Sequence, residues 1–451
     1  MTLTGLDSLD ACLAKIDRFT RGLKKNEWVI GEGYAPDRFR HRLEPDRYHL
    51  DRVTHDHPAF IFSVDEHSAW VNSRALEMAG ISAGTDDFPG GEIVRFEDGT
   101  PTGILREYRA FEKVFRLLPE VSRPETERRW RLALKLAYSR GVTGVHSFDG
   151  PEAFNFLAYM AEENKLGLRI NYYPAARMLP QLHRTRTVYG TGTDFFRITG
   201  IKLFADGSLG SRTALCFKPY LDNRHNYGIE TASTGQIRDA IHSAARLGLP
   251  VAVHAIGDKA VANTLDAMEG CPPLPKGARH RIEHLQLVRR KDLLRLKRLS
   301  IVASMQPSQC PSDIDLIRKF WGARAANSFL FRSVIARGID LAFGSDVPIE
   351  PLDPIAGIAA AVRRARPGSN DVFYPGERIP AQQAVYHFTV GPAVASGETR
   401  CRGMLLPGYP ADFVILSDDL IRIPARKIYD TRVLATVLDG QVKYHHASLR
   451  L

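Results

Sequence analysis

The chain has 451 residues, 44% hydrophobic and 25% charged, an ordinary globular composition with room for one large α/β domain and a smaller piece. Its net charge of +10 arises from 61 basic and 51 acidic residues, and the basic clusters at 123–140, 289–298 and 363–366 bring no nucleic-acid motif with them. Five scattered cysteines without a CxxC pair exclude a thiolate zinc site, no run is long enough to span a membrane and no signal peptide is visible, so a cytoplasmic chain with neither nucleic-acid nor membrane partners is expected.

In chain order, a helix is predicted over 9–23 and a strand over 28–34 that runs into a glycine-rich turn. A second strand, 58–64, precedes the run Asp65-Glu-His-Ser-Ala-Trp-Val-Asn-Ser73, and a short helix, 73–78, stops at Gly80. Residues 84–103, rich in Gly, Asp and Pro, read as loop or short strands. Ser122, Pro124 and Glu125 mark a helix start, and that helix continues to Arg140 before Gly141 and a strand over 142–148. Another strand follows at 168–173. Helix, glycine stop and strand recur at 237–256 and 327–343, and a helix at 292–299 leads into a strand at 301–305, the grammar of parallel βα units. Counted from Val142, strands fall near 144, 170, 202, 253, 282, 303 and 343, seven where a closed (β/α)8 barrel has eight. Beyond a helix near 381–388 the chain turns rich in Gly and Pro. A strand over 411–416 and a hairpin over 433–444, turning at Asp439-Gly440, form a small β module. The expected layout is a barrel over 1–400, with an insertion at 28–110, and a partial β-sandwich module over 401–451.

Four of the predicted strands carry a polar residue at or near the C-terminal end: Lys202, His254, His284 and Asp346. Barrel enzymes keep their chemistry at that end. Two histidines, an aspartate and a lysine on separate strands can converge on one metal centre. Imidazole and carboxylate suit zinc and related divalent ions. Such an ion lowers the pKa of its water to about 7. A carboxylate beside that water, as Asp346 would be, can take its proton and pass it to a leaving amine. Lys202 needs a separate argument. An ammonium about 4 Å from a unit positive charge costs roughly 4 kcal/mol at an effective dielectric of 20, and a divalent ion doubles that. The lysine can therefore join only as a neutral amine or, after carbamylation by carbon dioxide, as a carboxylate able to bridge two metals. Taken singly, each residue has a plainer role: a histidine can be a structural hydrogen-bonder, Lys202 an ion-pair partner of Asp206, and Asp346 a turn cap. Their joint register favours the centre. His146 ends its own strand and is a candidate pocket-lining residue.

The runs Ile201-Lys-Leu-Phe-Ala-Asp-Gly-Ser-Leu-Gly-Ser-Arg-Thr213, Val253-His-Ala-Ile-Gly-Asp258, Arg281-Ile-Glu-His284, Ser304-Met-Gln-Pro307 and Gly344-Ser-Asp-Val-Pro-Ile-Glu-Pro351 resemble the amidohydrolase superfamily. More narrowly they resemble its amidohydrolase-3 branch of YtcJ-like and N-substituted formamide deformylase-like proteins. So do 65–73 and Pro407-Gly-Tyr-Pro-Ala-Asp-Phe-Val-Ile-Leu416. The resemblance implies a hydrolase cleaving a C–N bond, amide or formamide-like, through a metal-activated water. It implies Lys202 as a carboxylated bridging ligand, His254 and His284 as ligands, and Asp346 as ligand and general base. One or two divalent ions are implied, zinc by preference. His67, Trp70 and Asn72 would lie in an insertion over the pocket mouth and bind substrate. Arg212 would meet a substrate carboxylate or anchor its own loop. The partner is a small amide-like molecule, and a homo-oligomer is compatible with the sequence.

The family's first barrel strand ends in a His-x-His pair, preceded by a β segment that completes the small sandwich. Neither occurs here, so the expectation is a TIM-like (β/α)8 barrel missing its first strand, plus a C-terminal β-sandwich remnant. His55-Asp56-His57 precedes Pro58 and a strand, the wrong side for that pair, and reads as a surface turn. Gln309 stands where a histidine is often found, and Glu66 where glycine is common. The alternative is a catalytically impaired amidohydrolase-like barrel that serves as a binding or regulatory protein. Two ions with chelator-sensitive hydrolysis favour the enzyme, and no ions favour the alternative. A nucleic-acid binder would instead show steeply salt-dependent association.

Overall fold

A computed structural model describes residues 1–39 and 44–449. They fall into two compact units: unit one is Met1–Ser122 with Asp206–Ala232, and unit two is Arg123–Ala205 with Ser233–Leu451.

Unit one contains α1 (Leu9–Thr20), β1 (Val29–Tyr34), α2 (Arg47–Thr54), β2 (Ala59–Ser63), β3 (Ser68–Val71), α3 (Ser73–Met78), β4 (Glu92–Arg95), β5 (Pro101–Arg106) and α4 (Glu107–Phe115). The strands form one sheet in the order β1-β2-β3-β5-β4, with β1 and β2 parallel and the other pairs antiparallel. Side chains alternate across it. Ala59 and Ile61 pack with Leu9, Cys12, Leu13 and Ile16 of α1, while Phe60 packs with Ala110, Phe111 and Val114 of α4. Helix α1 is built for this: its buried residues recur at helical spacing, and Ser8 caps it by accepting from the Ala11 N–H. Helix α2 and strand β3 were not anticipated from the sequence. Charge dominates α2, which is fixed by an Asp46–His49 capping box and by burial of Leu50 and Thr54.

Unit two contains α5 (Arg123–Ser139), β6 (Gly144–Ser147), α6 (Pro151–Glu162), β7 (Arg169–Tyr172), α7 (Leu179–Thr185), β8 (Phe196–Ile198), β9 (Ile201–Phe204), α8 (Thr234–Ala245), β10 (Val251–Ala255), α9 (Asp258–Met268), β11 (Arg281–His284), α10 (Asp292–Arg298), β12 (Val302–Met305), α11 (Gln309–Trp321), α12 (Phe331–Ala336), β13 (Leu341–Phe343), α13 (Pro354–Arg363), α14 (Ala381–Ser396), β14 (Phe413–Leu416), β15 (Val433–Leu438) and β16 (Gln441–His445). Two parallel sheets, β6-β7-β8 and β9-β10-β11-β12-β13, position the candidate site residues Lys202, His254 and His284. The single strand predicted around Lys202 is in fact β8 and β9. Thr199-Gly200 interrupts the ladder between them, yet Thr199 N donates to Tyr172 O and Lys202 N to Pro174 O, so both lie along the same neighbour. The result is seven successive parallel positions from β6 to β13, clothed by helices, a TIM-like α/β arrangement. Helix α14 lies close against β13: His387 Nδ1 sits 2.9 Å from Leu341 O, and a Cβ at Gly391 would come 2.5 Å from that oxygen.

The C-terminal strands form a three-stranded antiparallel sheet, β14-β15-β16, in the same unit. The β15–β16 hairpin turns at Asp439-Gly440 with φ of 53° and 73°, the positive values a two-residue type I′ turn needs. Arg169 of β7 secures this sheet through Asp412 at 2.6 Å and Asp439 at 3.0 Å. Among the described residues no helix is long and apolar enough to cross a membrane.

Candidate active site

The register of unit two sets its side chains in layers. Lys202 pairs with Ala252 and Ala252 with Arg281, while Phe204 pairs with His254 and His254 with Glu283. In-register parallel neighbours share a face, so Lys202, His254, Arg281 and Glu283 project from the same side of the sheet. His284 follows Glu283 and would point away in a regular strand. It does not, because the backbone leaves the extended region there: His284 has φ of 70° and Leu285 of 45°. The imidazole swings back toward β10, and the His254 and His284 ring centroids stand 4.4 Å apart, edge to face. Asp346, three residues beyond β13, also has positive φ, 63°. Its Oδ2 lies 3.9 Å from His284 Nδ1 and accepts a 2.9 Å hydrogen bond from Gln309 Nε2. Left-handed conformations in non-glycine residues cost about 1–3 kcal/mol each and gather at sites where geometry serves chemistry.

Lys202 is buried. Its ammonium lies 4.5 Å over the Phe148 ring and 4.7 Å over Phe204. Burial lowers its pKa to about 8, and the carboxylates of Glu283 and Asp346 only partly oppose that. Glu283 is already engaged. Its two oxygens take Arg281 Nε at 2.5 Å and Nη2 at 3.1 Å. Burial alone would raise Glu283, but Arg281 and Lys202 outweigh it and hold the carboxyl below its usual range. Arg281 also donates to Ser304 Oγ at 2.7 Å and Tyr173 OH at 3.3 Å, and its Nη1 lies 2.5 Å from His146 Nδ1. It thus reaches from β11 to residues on or just beyond β6, β7 and β12. Burial and the adjacent guanidinium drive His146 well below the ordinary imidazole range.

The donor set at the strand ends fits a divalent ion chemically: two buried imidazoles side by side and one carboxylate within reach of the second. Among the described residues no three His, Cys, Asp or Glu side chains form a ready metal cage. Asp346 is held by Gln309 and would have to turn toward the histidines to complete one. Gln306, just past β12, is buried with Oε1 lacking a hydrogen-bond partner. Nothing in the sequence marks the side chains of Gln306, Arg281 or Glu283 as functional. The motif strings contain them, but no spacing rule separates them from ordinary strand residues.

The other expected site residues lie in unit one. Trp70 is fully buried, with Nε1 donating to Asp46 O at 2.8 Å. Asn72 is fully buried too. Its Oδ1 accepts from Ala59 N and Ala75 N, each at 3.0 Å, and its Nδ2 donates to Thr54 Oγ1 and His57 O, each at 2.8 Å. Both amide ends are thereby committed to capping α3 and joining it to β2 and α2. His67 Nδ1 stands 3.0 Å from Glu107 Oε2, and Asp65 accepts from the hydroxyls of Ser63, Ser208 and Ser211. Arg212 meets Asp222 and Glu44, each at 3.2 Å, as a loop anchor would. His55 is the C-cap of α2 and exposed, and His57 Nδ1 lies 2.7 Å from Glu27 O, so that pair occupies a turn after a helix. Glu66 has φ of 57°, which explains why glycine suits its position.

The model of an amidohydrolase family, Amidohydro_3, matches residues 1–444. YtcJ of Bacillus subtilis, assigned to the amidohydrolases, is 33% identical over 98% of this chain and 85% of its own. The N-substituted formamide deformylase of Arthrobacter pascens is 26% identical over 97% of this chain and 83% of its own. Among solved structures, an uncharacterized metal-dependent hydrolase from Pyrococcus horikoshii superposes with a TM-score of 0.72 at 29% identity, covering 94% of this chain and 83% of that one.

Proposed function

The chain belongs to the amidohydrolase family, and from that premise we propose that unit two is a metal-dependent hydrolase of C–N bonds in small amide or formamide-like molecules. The observation that carries the reading is the pair His254 and His284, brought 4.4 Å apart by a broken backbone at the ends of adjacent strands. His254, His284 and Asp346 would hold a divalent ion, zinc by donor chemistry, with Lys202 joining in its carboxylated form. An ion bound there would make water acidic enough to lose a proton near neutral pH. Asp346 would accept that proton and deliver it to the departing nitrogen as water adds to the carbonyl carbon and the C–N bond breaks. The products are an acid and an amine. The depressed Lys202 pKa supports carboxylation, because a neutral amine is the form that reacts with carbon dioxide. The similarity to a formamide deformylase and to a metal-dependent hydrolase supports the bond type and the metal. In this reading the seven parallel positions belong to a (β/α)8-type barrel, with none of the described strands supplying a His-x-His pair, and the three-stranded sheet corresponds to part of a β-sandwich.

The test is metal content per chain together with hydrolysis of an N-alkylformamide and N-alkylamide panel. Bound divalent metal, chelator-sensitive turnover, and loss of both in His254→Ala and His284→Ala are expected. A protein that binds no divalent ion and cleaves none of the panel after metal loading refutes the proposal.

A further inference from the structure

We propose that His146 is a catalytic hydrogen-bond donor: a neutral imidazole, locked with its proton on Nε2, that binds the carbonyl oxygen of an uncharged substrate. This rests on the hydrolase reading above. Arg281 sets the tautomer. A guanidinium can only donate hydrogen bonds. With its Nη1 2.5 Å from His146 Nδ1, that ring nitrogen must be the bare acceptor, and the ring proton must sit on Nε2. Arg281 cannot turn aside to relieve the constraint, because Glu283 grips it at two points and Ser304 and Tyr173 take further donors. A positive neighbour on Nδ1 also opposes a second proton, so the ring stays uncharged.

The other nitrogen is left over. No described residue hydrogen-bonds Nε2, and the ring is only partly buried. It stands at the same end of the parallel series as Lys202. Phe148, two residues on, carries the Lys202 ammonium at 4.5 Å over its face, and Tyr173 lies 5.9 Å from the His146 ring and 5.2 Å from the Phe148 ring. A fixed, uncharged donor suits an oxygen that is neutral in the substrate and gains charge in the transition state. Its hydrogen bond strengthens as that charge develops and needs no reorganisation to do so. A protonated histidine would instead favour a substrate that is already anionic.

Two measurements on the full-length, metal-loaded enzyme test this. The first is 15N NMR of histidine-labelled protein at neutral pH. His146, assigned by comparison with His146→Gln, should show a pyridine-like Nδ1 and a pyrrole-like Nε2. A proton on Nδ1, or on both nitrogens, overturns the proposal whatever the activity. The second is turnover of an N-alkylformamide. Loss of one oxyanion donor typically costs about 10²–10³ in kcat, so His146→Ala should lose roughly that with KM changed far less. His146→Gln, whose amide NH₂ can stand where Nε2–H stood, should recover at least about tenfold of it. Metal content should match wild type in both variants. Wild-type kcat in a metal-replete His146→Ala sinks this inference alone, whereas absence of any hydrolysis by wild type sinks the hydrolase reading with it.

Discussion

Loss of the His67 proton should cost unit one stability as pH rises from neutral to alkaline. Burial would push this imidazole down from its ordinary 6.5, but Glu107 at 3.0 Å, with Asp65 and Asp206 nearby, outweighs burial and raises it to about 9. The side chain is 15% exposed, so solvent screens the pair little. A native pKa above the unfolded one means that the folded state holds the proton more tightly. The stabilisation is therefore complete below about pH 6.5 and disappears as pH climbs through about 9. At about 1.4 kcal/mol per tenfold, the difference amounts to about 3 kcal/mol. His67→Gln can keep a hydrogen bond to Glu107 but not the charge. Urea unfolding followed by fluorescence, with Trp28 and Trp70 in unit one as reporters, should show the variant about 3 kcal/mol weaker at pH 6 and nearly equal to wild type at pH 10. A gap between the two proteins that stays constant across this range would mean that the ring is neutral in the native state.

Two further outcomes follow from packing and charge in unit two. Arg281→Met strands the buried Glu283 carboxylate and should cost about 3–5 kcal/mol, while Arg281→Met/Glu283→Gln should recover much of that, with strict additivity in the denaturation cycle counting against the pairing. Gly391→Ala drives a methyl against Leu341 O and the Ala342 Cα, and a loss of about 1–3 kcal/mol is expected, so an unchanged unfolding midpoint would show that α14 does not approach β13 this closely.

Much of unit two was legible because its strands are short apolar runs that end on a polar residue, with glycine stops before them. Lys202, His254, His284 and Asp346 stand out by position, and the structure sets His254 beside His284 with Asp346 3.9 Å from the latter. What brings the histidines together did not. Nothing in Arg281-Ile-Glu-His284 says that residue 284 leaves the extended region, and a regular strand would have sent its ring to the other face. The break between β8 and β9 was hidden for a related reason: Ile198-Thr-Gly-Ile201 reads as one apolar run, and only the pairing with Tyr172 and Pro174 shows where the ladder skips. In unit one, α2 carries little apolar signal. Its capping box and two buried residues act only once the sheet is present to receive them. Asn72 looks like a substrate-binding residue in an insertion, whereas its burial and four hydrogen bonds depend on partners from 54 to 75 that no local pattern reveals.

The charged interior of unit two also governs how tightly the buried Lys202 holds its proton. Barrel interiors are commonly filled by branched aliphatic side chains. Here Arg281 and Lys202 project from the same face with one full carboxylate, Glu283, between them, and Arg281 takes that carboxylate with two hydrogen bonds. The guanidinium is the better claimant because its planar fork matches both oxygens at once and its charge cannot be shed. Lys202 is left with aromatic faces and a distant share of Glu283 and Asp346, too little to offset its burial, so its proton is held loosely, with a pKa of about 8. The same ion pair that satisfies one cation therefore leaves the other poised to become a neutral amine, the state in which a lysine can share a site with a divalent cation or combine with carbon dioxide.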